Sequence, residues 1–335
     1  MADVRRASAA WSLFVEGLGV RFSTSAGPLY AVRGVDFRLG RGECLGIVGE
    51  SGSGKSVTAS AVMGLVSRDA SVEGRVELDG TDIAGLPYEE KRALRGKKVA
   101  MIFQEPSRSF DPIYSIGKTF EEALRAKNPA VTSEGTQERA IALLTEVHIP
   151  QARERLRNFP HQFSGGMLQR IMIALALAND PEILIADEPT TALDVTIQAQ
   201  IVGLLKELQE RRRLSLVFIS HDLGLVGQIA DRILVMYAGL VLETGTGVEV
   251  LTRPRSPYTR ALLNALPTWG THYTSKKLFT ISGNVPDPTS PEPGCPFGPR
   301  CPLARDECSR RLPELRTDPD QREGAYRCVI PGVKP

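Results

Sequence analysis

The spacing of hydrophobic positions changes along the chain, and each spacing predicts a different element. Between residues 11 and 48, apolar and polar side chains partly alternate and glycine-containing turns interrupt them, which predicts β-strands. The uninterrupted apolar run at 44–48 predicts a buried parallel strand. Further strands are predicted at 72–78 and 99–103 and a helix at 57–65, and helical periodicity dominates from about residue 116 to residue 178.

The second half of the chain alternates strand-like and helical patterns. Strand-like runs occupy 183–186, 216–219 and 233–237, and a helical pattern at 196–212 separates the first two. This alternation predicts a parallel sheet with crossover helices. Beyond residue 267 the periodicity fades and proline and glycine become frequent. We therefore predict a domain boundary near residue 268 and a tail that needs a covalent or metal staple, or a partner surface, to stay ordered.

Composition narrows the class of protein. The 335 residues are 42% hydrophobic and 24% charged, as in a soluble globular protein of about two domains. The net charge of +2 gives no overall field that would attract nucleic acid. No apolar run reaches about 18 residues and the N-terminus has no signal-peptide pattern. We therefore expect a cytoplasmic chain that neither is secreted nor spans a membrane by itself.

One short segment carries the strongest chemical signal. Residues 49–56 fit the pattern G-x-x-x-x-G-K-[ST] between a predicted strand and a predicted helix. The glycines allow backbone N–H groups to surround a phosphate, Lys55 can reach the β- and γ-phosphates, and the Ser56 hydroxyl can ligate Mg²⁺. We predict that a nucleoside triphosphate binds here, on Gly49, Ser51, Gly52, Ser53, Gly54, Lys55, Ser56 and Val57.

A second nucleotide element follows the strand predicted at 183–186. Two carboxylates, Asp187 and Glu188, stand at its end. In phosphoryl-transfer sites an acid in this position binds Mg²⁺ directly or through water, and a second one orients the attacking water. We assign the first role to Asp187 and the second to Glu188.

The sequence Ser164-Gly165-Gly166, ahead of a predicted helix, resembles the signature motif of ABC-type ATPases. The common form of that motif is L-S-G-G-Q, and this chain has Phe163 and Met167 in the flanking positions. The resemblance covers residues 11 to about 265. It implies an α/β fold of the ABC-type P-loop ATPase: a RecA-like parallel sheet core, an antiparallel β subdomain and a helical subdomain at about 107–180. The nucleotide-binding domain would span 11–267 and a small cysteine-bearing extension 268–335.

The same resemblance assigns roles to further residues. Gln104 matches the Q-loop glutamine, which is expected to touch Mg²⁺ and the attacking water, and His221 matches the switch histidine, whose imidazole would contact the γ-phosphate. Residues 191–194 match the D-loop. Phe22 stands where an aromatic ring stacks on adenine, and Tyr30 is a competing candidate. The signature residues Ser164, Gly165 and Gly166 are expected to meet the γ-phosphate held by a partner chain.

The end of the chain narrows the branch of the family. Residues 253–263 and 294–297 look like the segments that follow the ATPase core in oligopeptide and dipeptide importers. The resemblance implies an ATP-hydrolysing subunit at the cytoplasmic face of the membrane, with a second homologous ATPase subunit, two transmembrane permease subunits and a separate solute-binding protein, and with no nucleic acid. Related importers carry nickel or glutathione. Two alternatives from other classes are a soluble ABC ATPase that acts on nucleic acid or ribosomes and a nucleotide-dependent iron–sulfur sensor.

Four of the five cysteines cluster near the C-terminus. Cys295, Cys301, Cys308 and Cys328 have the spacing C-x5-C-x6-C-x19-C, which differs from zinc ribbons and from bacterial ferredoxins. Four thiolates in a tail with little apolar core still favour a tetrahedral thiolate site. The resemblance implies a [4Fe–4S] cluster, with Zn²⁺ and free thiols as alternatives. Cys44 is expected to be a small core residue.

Overall fold

The computed structural model describes residues 11–191, 193–266, 279–291, 293–321 and 323–330. They fall into two compact units. The first unit comprises the described parts of Met1–Leu13, Leu39–Glu43 and Leu78–Phe218, and the second comprises those of Phe14–Arg38, Cys44–Glu77 and Ile219–Pro335. The domain boundary predicted near residue 268 lies outside the described residues.

The strands and helices are numbered in chain order. The strands are β1 (Trp11–Thr24), β2 (Gly27–Gly40), β3 (Cys44–Val48), β4 (Ala70–Leu78), β5 (Thr81–Asp82), β6 (Val99–Ile102), β7 (Ile183–Asp187), β8 (Ser215–Ser220), β9 (Arg232–Tyr237), β10 (Leu240–Thr246), β11 (Arg316–Thr317) and β12 (Ala325–Tyr326). The α-helices are α1 (Lys55–Val62), α2 (Tyr88–Leu94), α3 (Pro106–Ser109), α4 (Ile116–Arg125), α5 (Ser133–Glu146), α6 (Ala152–Arg155), α7 (Gly165–Ala176), α8 (Val195–Arg212), α9 (Leu223–Ile229), α10 (Gly247–Thr252), α11 (Pro257–Asn264) and α12 (Asp306–Arg310). Two 3₁₀ turns lie at Pro160–Gln162 and Gly298–Arg300.

The first unit is built on parallel strands. β6 pairs in parallel with β7, from Val99 opposite Ile183 to Ile102 opposite Ala186, and β8 follows β7 in the strand order. Every residue of β6, β7 and β8 is buried, as expected for strands covered on both faces. The helices α4 to α7 lie in the interval predicted to be helical, and the chain leaves the helix before Pro129 and again before Pro160, because proline cannot continue one.

The second unit combines parallel and antiparallel pairing. β3 pairs in parallel with β9, and β9 pairs antiparallel with β10. β12 adds to β10 with Tyr326 opposite Glu243, and β11 adds to β12. A separate sheet has the strand order β2-β1-β4, with positions such as Val15, Leu18 and Val35 buried. The predicted α/β fold is confirmed.

The differences from the sequence prediction have local causes. The strand predicted at 99–103 ends at Ile102, since Phe103 is exposed. The helix predicted at 57–65 begins two residues earlier, at Lys55, directly after the glycine loop. The tail contributes β11 and β12, which were not predicted, because two-residue strands are too short to show an alternating pattern. Within the described ranges, none of the helices combines the length and the apolar character needed to cross a bilayer.

Candidate functional site: the phosphate loop and the acidic strand end

The phosphate loop leaves the fully buried strand β3 and enters α1. Gly54 is the N-cap residue of α1 and has a φ of 97°, and a Cβ at this position would lie 2.5 Å from the carbonyl oxygen of Ala31. A Cβ at Gly49 would lie 2.1 Å from the carbonyl oxygen of Met236. Only glycine fits at these two positions, so the motif glycines are required by the close approach of the second unit's own backbone.

Lys55 lies in the first turn of α1 with only 4% of its surface exposed. Its Nζ donates to the carbonyl oxygens of Gly49 (2.8 Å) and Glu50 (3.0 Å). The Ser53 hydroxyl is buried, and no hydrogen-bond partner for it exists among the described residues. A buried cation, an orphaned hydroxyl and a helix N-terminus at one loop fit a phosphate group. Ser56 is exposed beside them.

A cavity of about 300 Å³ opens beside this loop within the second unit. Ser51 and Gly52 line it on the loop side, and Tyr30 lines it from β2. The C-terminal tail lines it as well, with the segment around Pro286 and Pro288. The carbonyl oxygen of Pro288 accepts a hydrogen bond from the backbone N–H of Tyr30 (2.9 Å). Of the two aromatic candidates, Tyr30 lines this cavity, whereas Phe22 lies half-buried on β1 and is not among the lining residues.

The acidic pair stands at the end of β7 in the first unit. Asp187 is 5% exposed, and Glu188 follows it with a φ of 46°. A left-handed conformation in a residue other than glycine costs about 1–2 kcal/mol. The Glu188 carboxylate accepts hydrogen bonds from Gln104 Nε2 (3.2 Å) and Thr191 Oγ1 (2.8 Å). Gln104 follows β6, the neighbour of β7, so the structure brings these two predicted residues together.

The signature sequence forms the N-terminus of α7. Ser164 caps this helix, and its hydroxyl accepts a hydrogen bond from the backbone N–H of Met167 (3.3 Å). Ser164 and Gly165 are exposed, whereas a Cβ at Gly166 would lie 2.8 Å from Ile197 Cγ2. The helix start therefore presents its serine and first glycine outward, and the second glycine permits close packing within the unit.

The remaining predicted nucleotide residues lie on loops. His221 directly follows β8 and is exposed. Asp194 caps α8 by accepting from the backbone N–H of Ile197 (3.0 Å), and Ala192, in the predicted D-loop, lies outside the described residues. The phosphate loop and His221 belong to the second unit, and Gln104, Asp187, Glu188 and the signature belong to the first.

The predicted cysteine site lies in the tail, and Cys295, Cys301, Cys308 and Cys328 are all free thiols. Burial raises the pKa of Cys295, Cys301 and Cys328, and the thiol of Cys308 lies near enough to raise each of these pKa values further. Backbone N–H groups donate to the sulfurs, from Arg305 to Cys308 and from Ile330 to Cys328, both at 3.4 Å. Among the described residues, no group of three or more His, Cys, Asp or Glu side chains is arranged to hold a metal ion.

Glu50, in the phosphate loop, makes two contacts that the sequence analysis missed. The Glu50 carboxylate accepts a hydrogen bond from Arg300 Nη1 (2.8 Å), and the Glu50 backbone N–H donates to Tyr258 Oη (2.9 Å). Glu50 occupies a position that the loop motif leaves open, and its partners stand more than 200 residues away in sequence. Local patterns do not contain this information.

Comparison with known proteins adds to this geometry. Residues 32–191 match the ABC transporter family model, and residues 242–308 match the model for the C-terminal region of oligopeptide/dipeptide transporters. The chain is 46% identical to the dipeptide transport ATP-binding protein DppD of Bacillus subtilis, over 91% of this chain and 92% of that protein. It is 47% identical to the oligopeptide transport ATP-binding protein OppD of the same organism, over 86% and 80%.

A solved structure gives the same picture. The dimeric, post-hydrolysis ATP-binding cassette MJ0796, bound to ADP and Pi, has a TM-score of 0.63 and 29% sequence identity to this chain. It covers 70% of this chain, and 98% of its own length is matched. The similarity thus extends over the whole of that cassette.

Proposed function

Because the chain belongs to the ABC-type ATPases of oligopeptide and dipeptide transporters, we propose that it energises the import of peptides across the cytoplasmic membrane by hydrolysing ATP. The observation that carries this proposal is the pairing of an ABC ATPase with the peptide-transporter C-terminal region in one chain of matching length. The phosphate loop supports it, since its two crowded glycines and its buried lysine fit a triphosphate.

In the proposed reaction the loop binds the triphosphate. Lys55 is the side-chain cation for the β- and γ-phosphates, and the backbone N–H groups at the start of α1 surround them. Ser56, Gln104 and Asp187 offer hydroxyl, amide and carboxylate oxygens, which are the ligands that Mg²⁺ prefers. When bound, the ion neutralises charge that develops on the phosphates. The aromatic contact to adenine remains a prediction for Phe22, and the cavity favours its alternative, Tyr30.

Glu188 is proposed to orient and deprotonate the attacking water. Its Oε2 is held by Gln104 and Thr191, so the carboxylate has a fixed direction, and Gln104 is placed to contact the same water. The left-handed backbone of Glu188 supports this role, because strain of this kind is retained where function requires it. His221 is proposed to contact the γ-phosphate.

The proposed working unit is a pair of ATPase subunits. Ser164 and Gly165 are exposed at a helix N-terminus, which favours an anion held by another chain. Each ATP would then lie between one subunit's loop and the other's Ser164, Gly165 and Gly166. A similar ATPase chain, two permeases and a solute-binding protein are the proposed partners, with this chain attached at the cytoplasmic face of the membrane.

The four tail cysteines are proposed to bind a [4Fe–4S] cluster. The chemistry of the donor set supports this, since all four cysteines are free thiols, and burial together with the neighbouring Cys308 raises the pKa of Cys295, Cys301 and Cys328. Backbone N–H groups also donate to the sulfurs of Cys308 and Cys328. Such N–H donors stabilise thiolate ligands. Cys295, Cys301, Cys308 and Cys328 would hold the cluster, and their role would be structural or sensory. Anaerobic metal and sulfide analysis tests it, and stoichiometric zinc without sulfide would replace the cluster by a zinc site.

Uptake in cells tests the proposed function as a whole. A strain that lacks this chain should lose uptake of labelled di- and oligopeptides, and the wild-type chain should restore it. Lys55→Ala should not restore it, because the loop loses its phosphate-binding cation. Restored uptake of nickel or glutathione with unchanged peptide uptake would change the assigned cargo. Co-purification with RNA or ribosomes instead of membrane subunits would refute a transport role.

A further inference from the structure

Glu50 of the phosphate loop contacts two residues from the C-terminal part of the chain, Tyr258 and Arg300. Its backbone N–H donates to Tyr258 Oη (2.9 Å), and its Oε2 accepts from Arg300 Nη1 (2.8 Å). Its carbonyl oxygen accepts from Lys55 Nζ (3.0 Å). Glu50 therefore connects two residues of the C-terminal part to the ammonium group that is expected to bind phosphate.

Arg300 is itself firmly fixed. Its side chain is only 5% exposed, and that of Glu50 is 26% exposed. Beyond Glu50, its guanidinium donates to the carbonyl oxygens of Ser282 (2.9 Å) and Ile281 (3.1 Å) and to Tyr237 Oη (3.0 Å). Because the planar fork is held in several directions at once by residues outside the loop, Nη1 has a fixed position beside Glu50.

Tyr258 is fixed by ring packing. It is fully buried in α11, and its ring centroid lies 4.7 Å from that of Tyr237 and 5.2 Å from that of Phe297. Tyr237 and Phe297 complete the cluster at 5.5 Å. These separations are favourable for aromatic pairs. The Tyr258 hydroxyl, which accepts the hydrogen bond from the Glu50 N–H, is therefore held in place by a buried aromatic cluster. Leaving this N–H without an acceptor at such a site would be costly.

We propose that Arg300 and Tyr258 are positioning residues for ATP binding, which fix Glu50 and, through its carbonyl oxygen, the ammonium group of Lys55. The tail then contributes a residue, Arg300, that positions the nucleotide site, in addition to the role proposed for its cysteines. This inference rests on the proposed function only in that the chain must bind ATP. The inference predicts that removing the contact of Arg300 or of Tyr258 with Glu50 weakens ATP binding. The loss of affinity should exceed that caused by a tail substitution that lowers thermal stability by a similar amount.

The test measures ATP affinity of the full-length chain by calorimetry, alongside thermal stability. Tyr258→Phe removes only the hydroxyl, and Arg300→Gln removes the charge. Each should raise the Kd for ATP by about 5- to 50-fold, the range expected when a buried or charged hydrogen bond is lost. Arg300→Lys should recover part of the affinity, because it keeps a cation near Glu50. The matched control is Arg327→Gln: this tail arginine donates to the carbonyl oxygens of Val241 (3.1 Å) and Pro313 (2.8 Å). It should lower the melting temperature without changing the Kd.

A double-variant cycle separates positioning from a general structural role. If Arg300 acts through Glu50, the variants Glu50→Gln, Arg300→Gln and the combination of both should have the same Kd. Additive losses, or a Kd for Arg300→Gln and Tyr258→Phe equal to that of Arg327→Gln, would overturn the inference. A wild-type chain that fails to bind ATP would instead overturn the proposed function.

Discussion

Three glycine-to-alanine variants separate the two demands that the phosphate loop makes on its glycines. Gly52 has a φ of 78° and no atom within 4 Å of the place that a Cβ would take, whereas Gly54 has a φ of 97° and would place its Cβ 2.5 Å from the Ala31 carbonyl oxygen. Gly203, inside α8, has neither a positive φ nor a close neighbour. Gly52→Ala therefore tests backbone strain alone, Gly54→Ala tests strain together with a steric clash, and Gly203→Ala tests neither.

The expected changes in free energy of unfolding follow from these contacts. Gly203→Ala should stabilise the chain by about 0.5–1 kcal/mol, since alanine favours the helix. Gly52→Ala should cost about 1 kcal/mol: a left-handed penalty of roughly 1–2 kcal/mol, partly offset by a less flexible unfolded chain. Gly54→Ala should have the same cost from backbone strain plus about 1–3 kcal/mol for relieving the clash of the new Cβ with the Ala31 carbonyl oxygen. The total expected loss in free energy of unfolding is about 2–4 kcal/mol.

Chemical denaturation measures the stability series, and ATP titration measures the functional one. Gly54→Ala should also weaken ATP binding, because the shift that relieves the clash moves the N–H groups at the start of α1. Gly203→Ala serves as the control and should bind ATP like the wild type. Equal destabilisation by Gly52→Ala and Gly54→Ala would refute the argument that close backbone approach, and not φ alone, requires glycine in this loop.

Three further predictions concern the thiols, one ion pair and the partner. In metal-free protein, burial raises the pKa of Cys295, Cys301 and Cys328, so at pH 8 these thiols should react with Ellman's reagent more slowly than free cysteine. A reaction as fast as that of free cysteine would contradict the raised pKa values. Loading with iron and sulfide should release protons from the thiols. The hydrogen bond from Arg212 lowers the pKa of Glu146, so the stabilisation is present above the unfolded pKa of about 4.3 and is lost as pH falls through the lower folded value. Glu146→Gln should cost about 1–3 kcal/mol at pH 7 and much less in acid, and denaturation showing equal losses at both pH values would oppose the assignment. The isolated chain should hydrolyse ATP slowly and accelerate with its partner subunits, and full activity in a strictly monomeric sample would exclude a shared site.

The sequence was sufficient for the features that depend on neighbouring residues. The run 44–48 and the following glycine motif specify β3, the loop and α1, because strand, turn and helix signals stand side by side. The end of β7 with Asp187 and Glu188 was predicted in the same way. The family resemblance singled out Gln104 after the strand predicted at 99–103, but its hydrogen bond to Glu188 was seen only in the structure, where β6 pairs in parallel with β7.

Features set by distant residues could not be predicted. The hold of Arg300 and Tyr258 on Glu50 joins segments more than 200 residues apart, and no local pattern marks it. The strand β12 has two residues and is defined by its pairing with β10, which lies about 80 residues earlier in the sequence. The left-handed backbone of Glu188 is also invisible in sequence, since a glutamate at a strand end gives no sign of its φ.

Coupled ATP hydrolysis and peptide uptake by a reconstituted transporter test the central claim most directly. Proteoliposomes that contain this chain, its partner ATPase, the permeases and the binding protein should hydrolyse ATP and accumulate labelled peptide together. In Glu188→Gln complexes, ATP should still bind, while hydrolysis falls by about 10²–10⁴-fold, as is usual for loss of a general base, and uptake falls with it. Wild-type hydrolysis and uptake in the Glu188→Gln complex would contradict the account.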